Sequence, residues 1–225
     1  LELESLVDPG MMEIFESQIK EANSLFSKFI SKSYESWMND SSIAPELSHT
    51  LFKNKVKPIL KENKPTLLMV IDNLRMDQWK TIEPLLTDFY QKEKEEAYYS
   101  ILPTATQYAR NALFSGCTPL KISELYPQWW KNDTDEGGKN LFEKDLLQAQ
   151  LKRLNIHGKM SYHKITNLKN GKLLAKSLSN HKDEKLTAVV YNFVDMISHA
   201  KSEMEIIKEL ASDNKAYRSL TASWF

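Results

Sequence analysis

Two acidic residues that follow apolar stretches of the chain are the first candidates for chemistry. Asp72 comes directly after the run 67–71, and Asp195 follows the apolar stretch 186–194. In open α/β sheets, ligands bind at the carboxyl ends of the strands. A buried carboxylate is costly there unless something positive compensates it. A metal ion, a basic side chain or helix amides could each be that partner, and the residues alone leave these alternatives open.

A histidine stands four residues after the second of these carboxylates. On a helix, this spacing places the side chains of Asp195 and His199 on one face, where both could ligate a metal such as zinc. A plain Asp–His hydrogen bond or a helix cap explains the same spacing more simply. The other histidines show no ligand spacing to another His or Cys and are predicted to be structural or exposed: His49, His157, His163 and His181.

The segment Pro-Thr-Ala-Thr at 103–106 precedes a predicted helix over 107–115. Amides at the start of a helix favour anions such as phosphate, and a threonine hydroxyl there could cap the helix. The hydroxyl could instead attack phosphorus if a metal ion lowered its pKa. Arg110 and Asn111 follow one turn later as candidate phosphate contacts, and Arg75 is a third candidate. Taken singly, each of the three is typical of a surface or structural residue.

The elements that must position these side chains alternate along the chain. Apolar runs predict strands at 66–71, 96–102, 158–165 and 186–194. Apolar residues at helical spacing predict helices at 9–38, 45–60, 76–89, 107–115, 139–154, 168–180, 201–210 and from 215 onward. The alternation predicts an α/β sandwich with a mostly parallel sheet, preceded by N-terminal helices. The stretch 132–138 is predicted to be a solvated polar loop, because its acidic residues lack EF-hand spacing.

The first predicted helix carries an apolar stripe. Its members are Phe15, Ile19, Ala22, Phe26, Ile30, Tyr34 and Trp37. Such a stripe usually packs on its own domain or on a neighbouring bundle, and a partner-binding or signalling helix is the alternative. The polar break at 39–42, followed by Pro45, predicts a boundary between a helical segment at 1–44 and an α/β domain at 45–225.

Composition excludes several classes of protein. Among 225 residues, 30 Lys and Arg balance 30 Asp and Glu, which argues against a strongly basic nucleic-acid surface and a polyacidic tail. No apolar run approaches the ~20 residues of a membrane-spanning helix. A single cysteine, Cys117, excludes an internal disulfide framework and fits a reducing compartment, so we predict that the protein is located in the cytoplasm. The chain lacks an initial Met and stops within a predicted helix, so an excerpt of a longer protein is expected.

Three segments together resemble a known pattern. They are LMVIDN at 68–73, LPTAT at 102–106 with FSG at 114–116, and NFVDMISH at 192–199. The set resembles the alkaline phosphatase superfamily, most of all its PglZ-domain branch as found in PorX-type response regulators of Bacteroidetes. Those proteins join a receiver domain, a helical bundle and a PglZ domain, and they act in the control of type IX secretion. The resemblance extends from about residue 64 to the end, and the preceding helix would match the tail of the bundle.

The resemblance implies roles for four residues. Asp72 would ligate one zinc ion, and Thr106 would be the nucleophile and bind the same zinc. Asp195 and His199 would bind a second zinc ion. Related phosphodiesterases carry a Pro-Thr-x-Thr segment in which the second threonine attacks, with a glycine ten residues later. Gly116 satisfies that spacing, which favours Thr106 over Thr104.

The family pattern requires more ligands than this chain carries. A further Asp-His pair should complete the first zinc site, and a late His should complete the second, yet neither follows His199. Two protein ligands per zinc ion fall short of the usual ~3–4. The chain is therefore expected to be part of a domain, to bind metal weakly or not at all by itself, and to be inactive alone.

The resemblance implies a zinc-dependent phosphoesterase that serves as the effector of a two-component response regulator. Its substrate would be a phosphodiester, such as an oligonucleotide or cyclic dinucleotide, or a phosphomonoester. Its expected partners are an upstream receiver domain, a sensor kinase, a sigma factor or secretion-system component, and a second copy of itself. The alternative is a non-catalytic module that senses a phosphorylated ligand or docks a partner protein. A plain structural α/β domain would leave the three motifs unexplained.

Overall fold

The computed structural model describes residues 9–131, 139–203, 209 and 212–224. The chain divides into two compact units, residues 1–46 and 47–225, which are treated separately below. The predicted polar loop at 132–138 and most of the predicted helix at 201–210 lie outside the described residues.

The first unit contains one long helix, α1, which spans Pro9–Asn39. This confirms the helix predicted at 9–38, because proline fits the first turn of a helix and the apolar stripe has helical spacing. Within the stripe, the rings of Tyr34 and Trp37 meet edge to face at 6.5 Å. The helix ends where Asp40 accepts hydrogen bonds from the backbone and hydroxyl of Ser42, at 2.9 and 2.7 Å. The two interpretations of the stripe remain open.

The second unit alternates helices with three strands. In chain order its elements are α2 Ser48–Leu51, a π-helix Phe52–Val56, α3 Lys57–Leu60, β1 Thr66–Ile71, α4 Met76–Leu86, α5 Thr106–Ser115, α6 Pro119–Leu125, a 3-10 helix Pro127–Trp129, a 3-10 helix Lys139–Phe142, α7 Glu143–Arg153, β2 Met160–Ile165, α8 Leu168–Ser177, a 3-10 helix Leu178–His181, β3 Leu186–Tyr191, α9 Phe193–Glu203 and α10 Asn214–Trp224. The mixed α/β fold predicted from the sequence is therefore confirmed.

The three strands form one parallel sheet in the order β1-β3-β2. Their last residues are in register, because Tyr191 of β3 pairs with Ile71 on one side and Ile165 on the other. The backbone N–H of Asp72 donates to the carbonyl oxygen of Tyr191 at 3.1 Å, which extends the ladder by one residue. The segments that follow the strands consequently leave the sheet at the same edge.

One face of the sheet carries the main core. Leu186, Ala188 and Val190 alternate along β3 and are buried against α5 and α7. Burial of a Leu or Val side chain contributes roughly 1.5–3 kcal/mol, so this face fixes the two helices on the sheet. The rings of Phe114 from α5 and Tyr162 from β2 meet edge to face at 5.7 Å. The core therefore decides where the polar residues of α5 and α7 point.

A second contact holds the last helix in place. The amide of Gln78 in α4 donates to the hydroxyl of Thr221 in α10 at 2.9 Å, and both side chains are fully buried. Tyr217 of α10 packs with Phe193 and Ile197 of α9. Through these contacts, α10 lies beside the start of α4.

The prediction of a strand at 96–102 is wrong. Tyr99 makes a single parallel bridge to Leu47, and the backbone N–H of Ile101 donates to the Ser48 hydroxyl at 3.2 Å. A side chain thus takes the hydrogen bond that a neighbouring strand would have taken, while Ile101 remains fully buried. The helix predicted from residue 45 begins only at Ser48, because Leu47 before it has extended backbone and pairs with Tyr99.

The strand predicted at 186–194 ends earlier, at Tyr191. Phe193, Val194 and Ile197 are buried at helical spacing and belong to α9, so the apolar run continues past the sheet as a helix. Asp195 therefore lies in the first turn of a helix and not at the end of a strand. The sequence also gave no prediction for α6, although Thr118 before Pro119 is a helix-start signal and caps the backbone of Lys121 at 3.4 Å.

Candidate active site

A cavity of about 450 Å³ opens at the carboxyl edge of the sheet. It brings together residues that lie far apart in the sequence. Its wall includes Asp72, Arg75, Thr104, Thr106, Arg110 and Asp195. The three segments that the sequence singled out therefore contribute to one cavity, because β1, α5 and α9 all begin or end at this edge.

Asp72 is the best-buried carboxylate of the cavity wall. Burial raises the pKa of Asp72, the Arg110 guanidinium opposes this shift, and the nearby Asp195 and Glu143 carboxylates add to it. One oxygen, Oδ2, accepts from Arg110 Nη1 at 2.7 Å. The other, Oδ1, faces the hydroxyl of Thr106 at 3.5 Å. A basic side chain is thus one of the positive partners that the sequence left open.

Thr106 is the first residue of α5. The N-cap position is occupied by Ala105, so the threonine hydroxyl does not cap the helix. Its Oγ1 donates to Asp72 instead, and the helix start places it at the cavity wall. Thr104 also lines the cavity, so both threonines of the segment have access to a ligand. The preference for Thr106 remains a prediction.

Arg110 and Asn111 are buried one turn further along α5. Only 5% of the Arg110 side chain is exposed, and Nη1 donates to Asn192 Oδ1 at 3.1 Å as well as to Asp72. Nε and Nη2 donate to the carboxylate of Glu143. Asn111 Oδ1 accepts from Asn140 at 3.4 Å. Both side chains therefore form hydrogen bonds with other residues of the protein, and their role in phosphate binding stays a prediction.

Glu143 is a site residue that the sequence analysis missed. It is 1% exposed and accepts hydrogen bonds from Arg110, from the Tyr162 hydroxyl at 2.6 Å and from Asn140 at 3.0 Å. Burial, with the adjacent carboxylate, raises the pKa of Tyr162. The ammonium of Lys164 lies 3.8 Å from the same carboxylate.

The sequence carried a signal for this residue. Glu143 stands three and four residues before Leu146 and Leu147, which are fully buried, so it occupies the apolar face of α7. A carboxylate on an apolar helix face predicts a buried cation beside it, because an unpaired buried charge is strongly unfavourable. The sequence does not identify this cation, because Arg110 lies on another helix, α5, and only the folded chain brings the two side chains together.

Asp195 and His199 share a face of α9, as their spacing predicted. The distance between His199 Nε2 and Asp195 Oδ1 is 3.5 Å. Asp195 lines the cavity, whereas His199 is not part of its wall and its side chain is 73% exposed. The structure therefore brings Asp195 to Asp72 and Thr106 and places His199 further out.

A second arginine lies at the rim of the cavity. Arg75 precedes α4 and donates to both oxygens of Asp77, with Nε–Oδ1 at 2.9 Å and Nη2–Oδ2 at 2.6 Å. Arg218 from α10 donates to the same Asp77 carboxylate at 3.2 Å. Hydrogen bonds from Arg75 and Arg218 lower the pKa of Asp77 to about 2. The Arg75 guanidinium lies 5.2 Å from the ring centre of Tyr217, and Nη2 also donates to Asn214 at 3.1 Å.

The donor atoms at the cavity fit a divalent metal ion in part. The carboxylates of Asp72 and Asp195 and the hydroxyl of Thr106 are oxygen donors at one cavity wall, which suits zinc or a harder cation. A bound cation would also stabilise the ionised Asp72 carboxylate and so oppose the rise in its pKa that burial causes. Within the described ranges, no three His, Cys, Asp or Glu side chains converge closely enough to form a ligand group.

The fold and the cavity define a class: an α/β protein whose parallel sheet presents carboxylates and a helix-start threonine at one edge. Residues 51–222 match the family model of the BREX system PglZ alkaline phosphatase-like domain. The chain belongs to this PglZ family. Residues 1–38 match the PorX response regulator linker domain. The resemblance seen in the sequence is thereby confirmed.

The two matches together support a phosphoesterase-like effector of a response regulator. A search of curated proteins found no match to the chain. In the part of the chain that the structure describes, none of the helices is both long enough and apolar enough to traverse a lipid bilayer.

Proposed function

We propose that the cavity is the active site of a zinc-dependent phosphoesterase in which Thr106 is the nucleophile. One observation carries the proposal: the Thr106 hydroxyl faces the partly buried Asp72 carboxylate at 3.5 Å, inside a cavity that Asp195 also lines. Family membership supports the class of reaction, since PglZ domains are alkaline phosphatase-like. The substrate is a phosphodiester or nucleotide.

Two zinc ions would be held by four residues of this chain. Asp72 and Thr106 would hold one, and Asp195 and His199 would hold the other, with further ligands supplied from outside this set. When bound, the ions would favour the threonine alkoxide and stabilise the negative charge that develops around phosphorus. Oxygen-rich donors at the cavity wall suit this role.

The residues of the chain would act in sequence. Asp72 orients the Thr106 hydroxyl by accepting its proton in a hydrogen bond. Thr106 Oγ1 gives up its proton to water and attacks phosphorus in line, a new P–O bond forms, and the ester bond to the leaving alcohol breaks as that oxygen takes up a proton from water. Water then cleaves the phosphothreonine ester, which releases the phosphate product and restores the hydroxyl. Arg110 keeps Asp72 in place throughout, because its guanidinium is clamped by Glu143.

The test is Thr106→Ala in the complete protein, assayed with bis(p-nitrophenyl) phosphate. Loss of the nucleophile should lower kcat by at least about 10³-fold while zinc content, measured by atomic emission, stays comparable to the wild type. The matched control is Thr104→Ala, which removes the neighbouring hydroxyl on the same cavity wall and should retain most of the activity. Equal turnover by the wild type and Thr106→Ala, with metal retained, would reject the nucleophile.

The biological setting follows from the same proposal. The match at residues 1–38 supports an upstream receiver domain phosphorylated by a sensor kinase. The output would control type IX secretion in the cytoplasm, through a sigma factor or a component of the secretion system, and a homodimer could transmit the signal. Phosphorylation of the receiver domain should then change the turnover of the diester by the complete protein.

A non-catalytic module is the second candidate, and one contact favours it. Asp72 Oδ2 already accepts from Arg110 at 2.7 Å, so one oxygen of the first proposed zinc ligand is engaged by an arginine. In a module of this kind, the cavity would sense a phosphorylated ligand or shape a surface for a partner protein. Metal content separates the two: two zinc ions per complete chain support the enzyme, and none supports the module.

A further inference from the structure

We propose that Arg75 is a substrate-binding residue that binds a second phosphate group, separate from the one that Thr106 would attack. The proposal rests on the proposed function and narrows the substrate to phosphoesters that carry two phosphates. Arg75 and Thr106 line the same cavity, one at the entry to α4 and the other at the start of α5. One ligand in a cavity of about 450 Å³ can therefore touch both residues.

The guanidinium of Arg75 is held in position before any ligand arrives. Asp77 binds it through Nε and Nη2, Asn214 accepts from Nη2, and the ring of Tyr217 lies 5.2 Å from its carbon. Nη1 takes part in none of these bonds, and 43% of the side chain is exposed. A fixed, partly exposed fork suits phosphate, because little rotamer entropy is lost when the anion binds.

The charge around Arg75 favours an anion. Two guanidinium groups, Arg75 and Arg218, share the single carboxylate of Asp77, so the rim keeps an excess of positive charge. Arg218 is 8% exposed and is not part of the cavity wall, which leaves Arg75 as the group of this cluster that a ligand can reach. An anion at this point therefore meets a positive charge that is already desolvated on one side.

Arg110 is less suited to the same task. Its side chain is 5% exposed, and its three nitrogens donate to Asp72, Asn192 and Glu143. The wall around it is acidic, because the carboxylates of Asp72 and Asp195 line the cavity there and Glu143 lies behind them against Arg110. If the reactive phosphate of a substrate is bound near these carboxylates, a further phosphate is placed more favourably at Arg75, where the surrounding charge is positive.

The test compares two probes that differ by one phosphate, thymidine 5′-monophosphate and thymidine 3′,5′-bisphosphate. Calorimetry on the complete protein should give about ten-fold tighter binding of the bisphosphate, which is the value of one charge-assisted hydrogen bond. Arg75→Gln should abolish this preference and change the Kd of the monophosphate by less than about two-fold. Arg75→Lys keeps the positive charge but loses the forked donors of the guanidinium, so it should show an intermediate preference for the bisphosphate. This variant decides the proposal if Arg75→Gln does not fold.

Arg218→Gln is the matched control, because it removes the other positive charge of the cluster without altering the cavity wall. It should keep part of the preference for the bisphosphate, because the excess positive charge of the rim is lost while Arg75, which lines the cavity, can still contact the second phosphate. The proposal is overturned if the parent protein shows no preference, if Arg75→Gln weakens both probes equally, or if Arg218→Gln loses the preference to the same extent. All of these proteins also carry Thr106→Ala, which prevents turnover of the nucleotide probes, so a failure here is distinguishable from a failure of the turnover assay that decides the proposed function.

Discussion

Two arginine–carboxylate clusters flank the candidate active site, and they are built in opposite ways. In the inner cluster, the carboxylates of Asp72 and Glu143 surround the single guanidinium of Arg110. In the rim cluster, the guanidiniums of Arg75 and Arg218 share the single carboxylate of Asp77. The inner cluster is almost wholly buried, whereas the Arg75 side chain of the rim cluster is 43% exposed.

The difference gives the cavity two regions of opposite charge preference. The inner wall has more negative than positive groups and favours a cation, while the rim favours an anion. A phosphoester with its metal ions needs both, because the metal requires carboxylates and the remaining substrate charge requires a cation. A chain with 30 acidic and 30 basic residues and no net charge can thus still direct a charged ligand, since the local groups are segregated.

The largest effect should come from breaking the inner cluster. Glu143→Ala leaves Arg110 buried with fewer negative partners, and the loss of one partner of a buried pair costs about 3 kcal/mol of unfolding free energy. Urea unfolding followed by circular dichroism measures this cost. Glu62→Ala is the control, because Glu62 pairs with Lys64 at 3.3 Å on the surface and such pairs contribute below about 1 kcal/mol. Similar losses in both variants would contradict the distinction between buried and exposed clusters.

The inner cluster shows which features of the site could be predicted from the sequence. The resemblance implied that Asp72 and Thr106 lie together at one zinc ion, whereas the apolar run before Asp72 predicted from the residues themselves that Asp72 stands at the carboxyl end of a parallel strand. The register Ile71–Tyr191 bears out this reasoning for Asp72. The prediction of a strand at 96–102 was wrong because the backbone N–H of Ile101 donates to the side chain of Ser48 and not to a neighbouring strand. No local sequence pattern indicates this contact.

The rim cluster could not be predicted from local pattern at all. Asp77 and Arg218 are separated by 141 residues and meet because α4 and α10 pack through the buried pair Gln78 and Thr221. Helix periodicity predicted both helices but not that they would touch. Glu143 is an intermediate case, since its position on an apolar helix face was visible while its partner was not.

A medium effect should come from removing one donor to the inner cluster. Tyr162→Phe keeps the ring that packs on Phe114 and deletes the hydroxyl that donates to Glu143 at 2.6 Å. A hydrogen bond to a buried carboxylate contributes roughly 1.5 kcal/mol, so the urea midpoint should fall with an unchanged m-value. Tyr98→Phe is the control, because Tyr98 is exposed at the cavity and its change should stay within about 0.5 kcal/mol. Equal effects in both variants would show that the Tyr162 hydroxyl adds nothing to the cluster.

The smallest effect should come from the rim, and it should depend on pH. Asp77→Asn removes the carboxylate that Arg75 and Arg218 share. Water screens the partly exposed Arg75 and Asp77, and the asparagine still offers an oxygen to the buried Arg218, so the loss at neutral pH should stay below about 1 kcal/mol. The pKa of Asp77 is lowered from 3.8 to about 2, so its stabilising contribution is present above about pH 4 and is lost as the pH falls toward 2.

The stability difference between the wild type and Asp77→Asn should therefore shrink as the pH falls from 5 through 4 to 3, because protonation in the unfolded chain precedes protonation in the folded one. Urea unfolding at these three values measures the difference directly, and other carboxylates cancel because both proteins carry them. A difference that stays constant across this range would mean that Asp77 does not hold its charge through Arg75 and Arg218. The rim would then lack the fixed positive fork that distinguishes it from the inner wall.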